Sequence, residues 1–519
     1  MTGRSERRAA RLSARRADSP VARLASRQPR VPFPPVEWLG PEALDQLHAA
    51  SMRILEDIGL DFMDDEALAL WAEAGARVDH AAQHVWLDKG LVLELVSRAP
   101  ATFTWRGRNP ARDVAVGGNA VAFMPQGGVV YVNSLDTGRR PGTLADYENF
   151  LKINQSLNVI HFAGEQLIAP ADVEVSLRHL RRLSLSVNMS DKPLLEAAHG
   201  REITTDAVNV ARLVFGDPST GSGQALEGGP VIGGVINASS PLRYDGRMIG
   251  GLMTYARAGQ ATVITPFILA GAMSPISIAS AVAQQNAEAL AGIALAQLAR
   301  PGAPVVYGGF TTNVDMRSGS PAFGTPEGAW ALIVGAQLAR RYKLPYRGSG
   351  SLNTSKTPDA QSAYETQWTL WPALMAHTNL IMHAVGWLEG GLTVSYEKIM
   401  LDAEALGMFA HFLEGFKLDD ETLALDMIQE VGPGGHHFGT AHTQARFATE
   451  FYSPLLSDRQ GYETWLAAGG AEAPQRANAL WKEVIAGYEQ PYLDPGIAEA
   501  VADYVARRER ELEGKSLYD

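Results

Sequence analysis

The sequence predicts an α/β protein built on a (β/α)8 TIM-type barrel, with a helical N-terminal layer and a helical C-terminal extension. Two observations carry that prediction. Eight short apolar runs rich in Val, Ile and Phe fall at 121–124, 159–163, 193–197, 231–236, 262–269, 304–310, 344–347 and 380–385. Helical stretches separate most of them, which is the alternation of parallel βα units. The rival is an open doubly wound sheet, which often carries a Gly-rich phosphate fingerprint. Neither Gly221-Ser222-Gly223-Gln224-Ala225-Leu226 nor Gly348-Ser349-Gly350-Ser351-Leu352-Asn353 supplies its third glycine.

The elements follow in order. Residues 1–30 hold nine arginines against Glu6 and Asp18, a balance of +7 that leaves −19 on the rest. This composition resembles a transit peptide, but a solvated, disordered Arg-rich tail is the plainer reading and the one expected. Residues 31–115 form the N-terminal layer. There Leu44, Leu47, His48, Met52, Leu55 and Ile58 mark one helical face that Gly59 stops, and a second helix spans about 65–74. The barrel takes 116–395. Thr143 and Asp146 open its first helix with a capping box, and helices at 280–299 and 326–341 follow later strands. Residues 396–519 return to helix at 400–416, 421–430, 473–487 and 496–512, interrupted by a Gly/His-rich loop at 432–442.

Composition narrows the function. The 519 residues are 46% hydrophobic and 20% charged, enough to bury a large core. Net charge is −12, which excludes a global basic footprint for nucleic acid. No apolar window reaches the ~18–20 residues that span a bilayer, and the expected location is the cytoplasm. Cysteine is absent, so disulfides, thiol nucleophiles and thiolate-zinc sites are excluded.

In a barrel, function sits where the strands end. Those positions carry Gln126 with Tyr131 nearby, Glu165, His199, Asn237, Phe310, Gly348 to Asn353, and Trp387 to Gly390. Glu165 directly follows an apolar run, where it faces a cation, acts as a base, or simply forms a salt bridge. His383 is a second catalytic candidate, and core packing is its plainer reading. Glu389 suits a helix cap equally well. Seven aromatics (Tyr131, Phe310, Tyr346, Tyr364, Trp368, Trp371 and Trp387) fall at or near predicted mouth segments. Grouped, they would suit a quaternary ammonium, which cannot donate a hydrogen bond. The loop holding His436, His437 and His442 lacks helical zinc spacing, so no metal is expected and partner docking or loop anchoring suits it better.

The string from Pro433 to Thr443, Pro-Gly-Gly-His-His-Phe-Gly-Thr-Ala-His-Thr, is followed by Phe447, Glu450, Phe451, Pro454-Leu455-Leu456 and Asp458-Arg459. With Ala74-Gly75-Ala76-Arg77-Val78-Asp79 and Ser355-Lys356-Thr357-Pro358-Asp359-Ala360-Gln361, this resembles the trimethylamine:corrinoid methyltransferase family from about residue 40 to 515. The resemblance implies a barrel and methyl transfer from a methylated amine to the Co(I) of a corrinoid (cobalamin) on a separate corrinoid-binding protein. The chain's lack of any Asp-x-His-x-x-Gly attachment motif fits that division. The trimethylamine branch carries pyrrolysine in the mouth; here 348–357 holds standard residues, which points to the quaternary-amine branch of glycine betaine type. On this reading the aromatics, among them Tyr131, Phe310, Tyr346 and Trp387, hold the ammonium. Gln126, Asn237, His383 and the backbone at Gly350 hold a carboxylate, and Glu165 faces the cation. A homo-oligomer is left open. Two alternatives use the same residues: a barrel that binds quaternary amines without transfer, and a hydrolase or lyase using Glu165 and a histidine.

Overall fold

The computed structural model describes residues 21, 28–164, 166–216, 226 and 228–517. Most of the Arg-rich head, and Glu165, lie outside the described residues. The fold is mixed α/β. Its centre is a parallel sheet in which Gly233–Ala238 pairs with Ala261–Ala270, then Val305–Gly308, Tyr346–Ser349, Leu380–Met382 and finally Ala122–Phe123. Six of the eight expected runs are thus strands. The runs at 159–163 and 193–197 are not, yet both take backbone hydrogen bonds at the sheet's two edges. His161 N donates to Phe123 O at 2.9 Å, Ala163 N to Pro193 O at 3.1 Å, and Glu196 N to Gly233 O at 2.8 Å. Lys192 fixes this pair of runs from outside, its buried ammonium donating to the carbonyls of Asn154, Leu157 and Ile160.

Side chains two apart on a strand share a face, and the shared face here is one core. Ala122 and Met124, Phe162, Leu195, Val235, Ala261 and Val263, Val306, and Leu380 and Met382 meet in a single buried cluster drawn from seven of the eight runs. Trp105, Val114 and Val116, from the hairpin of Phe103–Trp105 with Val114–Val116, plug it where the strands begin. Gly233 is required there, because a Cβ would sit 2.6 Å from the Trp105 ring. The opposite end, where the strands finish, is left to polar and aromatic side chains.

Around the sheet lie the expected helices, including Leu144–Ser156 with its Thr143/Asp146 capping box, Ile278–Ala299 and Pro326–Arg341. The N-terminal layer departs from expectation by not being all helix. Pro41–Arg53, Asp65–Glu73 and Lys89–Ser97 are helical, but Leu60–Phe62, Arg77–Asp79, His84–Trp86 and Arg243–Tyr244 build a small sheet. Two- and three-residue strands are too short to print a period-two pattern. In the C-terminal region Tyr396–Glu414, Ala473–Ala486 and Pro495–Leu512 match, while the 421–430 helix is split at Ala424, whose φ is +46°. Among the described residues no helix is long and apolar enough to cross a membrane.

One core group makes stability pH-dependent. His161 Nδ1 accepts the Phe123 N–H at 3.0 Å, which requires that nitrogen to be unprotonated. Burial, helped by the charges of Lys192 and Arg112, pushes this imidazole from 6.5 down to about 3. Above pH 6.5 folded and unfolded chains both hold it neutral. Between 6.5 and about 3 only the unfolded chain takes the proton, so stability falls as pH drops. The expected loss is up to ~1.4 kcal/mol per pH unit from this group. Denaturation midpoints between pH 7.5 and 5.5 measure it, and an identical slope in His161→Gln would assign the effect elsewhere.

Candidate active site

Four aromatic rings gather where the parallel strands end. Phe310 follows Val305–Gly308, Phe323 follows the short Pro321–Ala322 strand, and His383 and Trp387 follow Leu380–Met382. His383 stacks on Trp387 (centroids 5.3 Å, 25°) and lies 5.4 Å from Phe310. Phe323 meets Trp387 edge-on at 4.8 Å and Phe310 at 5.6 Å. Phe267 adds a further ring 5.0 Å from Phe310. Ring faces concentrate negative quadrupole, so this cluster can hold a cation that offers no hydrogen.

Polar groups also stand where the runs end. Gln126 is fully buried, and neither amide atom has a hydrogen-bond partner among the described residues. A buried amide left so costs ~1–3 kcal/mol, which a ligand that paired it would recover. Ala384 N bonds to Met124 O at 2.9 Å, which sets the end of the Gln126 strand beside the His383 turn. Asn237, at the end of Gly233–Ala238, is exposed. Gln166 and His199 contact each other at 2.7 Å beyond the second and third runs.

Arg347 is the residue that sequence reasoning missed. It is 2% exposed, with its guanidinium 5.0 Å from the Phe310 centroid, Nε donating to Met382 Sδ at 3.0 Å and Nη1 to Gly309 O at 3.2 Å. Burial, reinforced by this charge, holds His383 well below its usual 6.5, so the imidazole is neutral at physiological pH and adds no repulsion to a bound cation. His383 Nδ1 also lies 3.2 Å from Ser349 Oγ. The signal for Arg347 was a charged residue closing an apolar run, two positions before Ser349.

Other expected site residues lie elsewhere. Strand alternation turns Arg347 and Ser349 inward and Tyr346 and Gly350 outward. The Tyr346 hydroxyl is beside Gln285 and Gly335, on helices outside the sheet, and a Cβ on Gly350 would meet Leu370 of Ala360–Met375 at 2.3 Å. A narrow cleft of about 30 Å³ runs from Phe310 and Phe323 to Tyr346 and Gln285 behind the strands. Tyr131 is already covered by the Arg139 guanidinium at 3.6 Å, and Arg139 pairs with Glu389 at 2.8 Å. Glu389 is therefore an ion-pair partner and not a helix cap. Tyr364, Trp368 and Trp371 do not reach the mouth. They repeat at i, i+4 and i+7 along Ala360–Met375, on the solvent side, 62%, 49% and 38% exposed. His436 and His437 are exposed, and no group of three His, Asp or Glu among the described residues could hold a metal.

The fold is similar to that of a methylamine methyltransferase. The structure superposes on the crystal structure of the Methanosarcina barkeri monomethylamine methyltransferase (MtmB) with a TM-score of 0.51, at 10% identity, over 98% of this chain and 93% of that one. The chain belongs to the trimethylamine methyltransferase (MTTB) family, whose pattern it matches over residues 3–513, and it is a methyltransferase. It is 40% identical over 480 residues to a glycine betaine methyltransferase of Desulfitobacterium hafniense strain Y51, covering 92% of this chain and 98% of that protein. It is also 31% identical over 471 residues to a trimethylamine methyltransferase MttB of Desulfitobacterium hafniense strain DSM 10664 / DCB-2, covering 91% and 93%.

Proposed function

We propose that this chain, in the cytoplasm, moves a methyl group from a quaternary amine of glycine betaine type to the Co(I) of a corrinoid carried by a separate protein. The observation that carries this reading is the ring cluster of Phe310, Phe323, His383 and Trp387 set above the buried Arg347. Rings suit the ammonium and the guanidinium suits a carboxylate, so the site matches a zwitterion better than a bare cation. We read the sheet as a closed (β/α)8 barrel, supported by the backbone bonds of 159–163 and 193–197 at both sheet edges.

The chemistry asks little of the protein's own groups. The C–N bond breaks with its electron pair left on nitrogen, releasing a neutral tertiary amine, while the Co(I) lone pair takes the methyl carbon. No proton moves at the reacting centre. Phe310, Phe323, Trp387 and neutral His383 orient the ammonium and keep water out, which is the positioning share of catalysis. Cation–π attraction fades as charge leaves nitrogen, so the rings must bind without over-stabilising the ground state. The Gln126 amide and Asn237 hold the polar end beside Arg347. Glu165 would offset the cation from the second run.

Mixing the protein with its cognate corrinoid protein in the Co(I) state and following the absorbance change tests this. Glycine betaine, proline betaine, carnitine and trimethylamine are compared. Methylation is expected from a betaine and not from trimethylamine; none from any of the four overturns the proposal.

A further inference from the structure

The seam where the regular ladder gives out carries a feature that methyl transfer does not use. Runs 159–163 and 193–197 join the sheet at its edges without forming strands. Beside them lies a cavity of about 40 Å³ whose polar lining is Gln28, Arg112, Asp113, Asn158, His161 and Lys192. It has room for about three water-sized atoms. Gln28 closes it from the N-terminal segment, with both ends of its amide spent on the Ala115 backbone at 2.8 and 2.9 Å.

Three groups indicate what fills it. His161 Nδ1 accepts the Phe123 N–H at 3.0 Å, so the neutral ring carries its hydrogen on Nε2. That N–H is buried and has no partner among the described residues. The Lys192 side chain meets three acceptors, the carbonyls of Asn154, Leu157 (3.0 Å) and Ile160 (2.5 Å). Three acceptors take three hydrogens, so the group is an ammonium, and burial opposes that charge. Arg112 spends Nη1 on a neutral acceptor, Asn158 Oδ1 at 2.9 Å. Neither cation forms an ion pair with a carboxylate of the described residues, and the nearby acids are engaged elsewhere. Asp113 accepts from Gly107 N at 2.9 Å, and Asp191 from Gln155 Nε2 at 2.7 Å and Asn109 Nδ2 at 3.1 Å. Two cations and an unused donor around a void are the surroundings of an anion, because buried charge is stable only when it is compensated.

We propose that this cavity binds a small monovalent anion, the size of chloride or formate, which accepts from His161 Nε2 and offsets Lys192 and Arg112. The ion ties run 159–163, through His161, to the residue that leads run 193–197 and to the Pro110–Arg112 turn. It thereby braces the seam that ladder pairing leaves irregular. A water molecule satisfies the N–H but leaves the charge uncompensated, so charge and size are the properties to test.

Thermal unfolding of the full chain is compared in sodium chloride and in sodium gluconate at equal ionic strength, gluconate being too large to enter. Chloride should raise Tm by about 1–3 °C in a saturable way, and gluconate should not. Arg112→Gln should move the chloride midpoint up ~10-fold or more, because a charge-assisted contact is lost. Crystals grown in bromide give a reading free of mutation, an anomalous peak in contact with His161 Nε2. Equal stabilisation by both salts overturns the proposal, as does a chloride midpoint unmoved in Arg112→Gln. So does a cavity that holds water alone in bromide.

Discussion

Asp402→Ala is expected to cost about 3–5 kcal/mol of stability and most of the activity, because it strands a buried ammonium. Asp402 and Lys398 are fully buried one turn apart on Tyr396–Glu414 and form an ion pair. Burial pushes the Asp402 carboxyl up and the Lys398 ammonium down, so each depends on the other to stay charged. Lys398 Nζ also donates to Ser351 Oγ at 2.9 Å and Thr366 Oγ1 at 2.8 Å, while Asp402 accepts from Ser351 Oγ at 2.7 Å and Gly386 N at 2.8 Å. The pair therefore clamps the loops after the Tyr346–Ser349 and Leu380–Met382 strands. Those loops hold Ser351 and His383 at φ +47° and +53°, conformations that cost ~1–3 kcal/mol each without support. The double variant Lys398→Met/Asp402→Leu separates the two roles. It should regain most of the denaturation midpoint, since no charge is left unpaired. Activity should stay low, since the Gly386 N–H and the Ser351 hydroxyl still lack their acceptor and the His383–Trp387 turn is released. Recovery of both would make the pair purely structural.

This clamp also shows where sequence reading stops. Apolar runs located the six central strands, and helical patterning the major helices, because each signal extends over enough residues to be seen. It could not assign Tyr346 and Gly350 to the outer face, since that depends on strand register: one residue's shift exchanges Tyr346 for Arg347. Gln126, Phe310, His383 and Trp387 were legible from their position at strand ends. Their meeting was not, because Phe323 reaches the cluster from the short Pro321–Ala322 strand and His383 through a left-handed backbone turn. Trp368 and Trp371 looked like cage residues by composition; their i, i+3 spacing belongs to a helix face, and only packing tells which side that face takes. The Lys398–Asp402 pair reads in sequence as an ordinary i, i+4 surface pair, and nothing but the surrounding chain makes it a buried one.

Arg347→Met should split zwitterions from plain cations. A carboxylate about 4 Å from a charge gains ~4 kcal/mol at an effective dielectric of 20, and the ammonium of the same molecule, held in the rings above, is repelled less because it lies farther away. With half or less of that realised, removing the guanidinium should raise KM for glycine betaine ~10–100-fold. It should leave tetramethylammonium bound as well or better, since that ion meets only the repulsion. Arg347→Lys keeps the charge but loses the planar fork, so its betaine KM should fall between the two. Trp387→Leu should behave differently. It removes the ring stacked on His383 and set edge-on to Phe323, and a desolvated cation–π contact of ~2 kcal/mol corresponds to about 30-fold in affinity for both ligands. Crossing the two variants with the two ligands gives four numbers that only a two-ended site satisfies. Equal losses for both ligands in Arg347→Met would mean that the guanidinium supports the Phe310 ring and Met382 without reading the carboxylate.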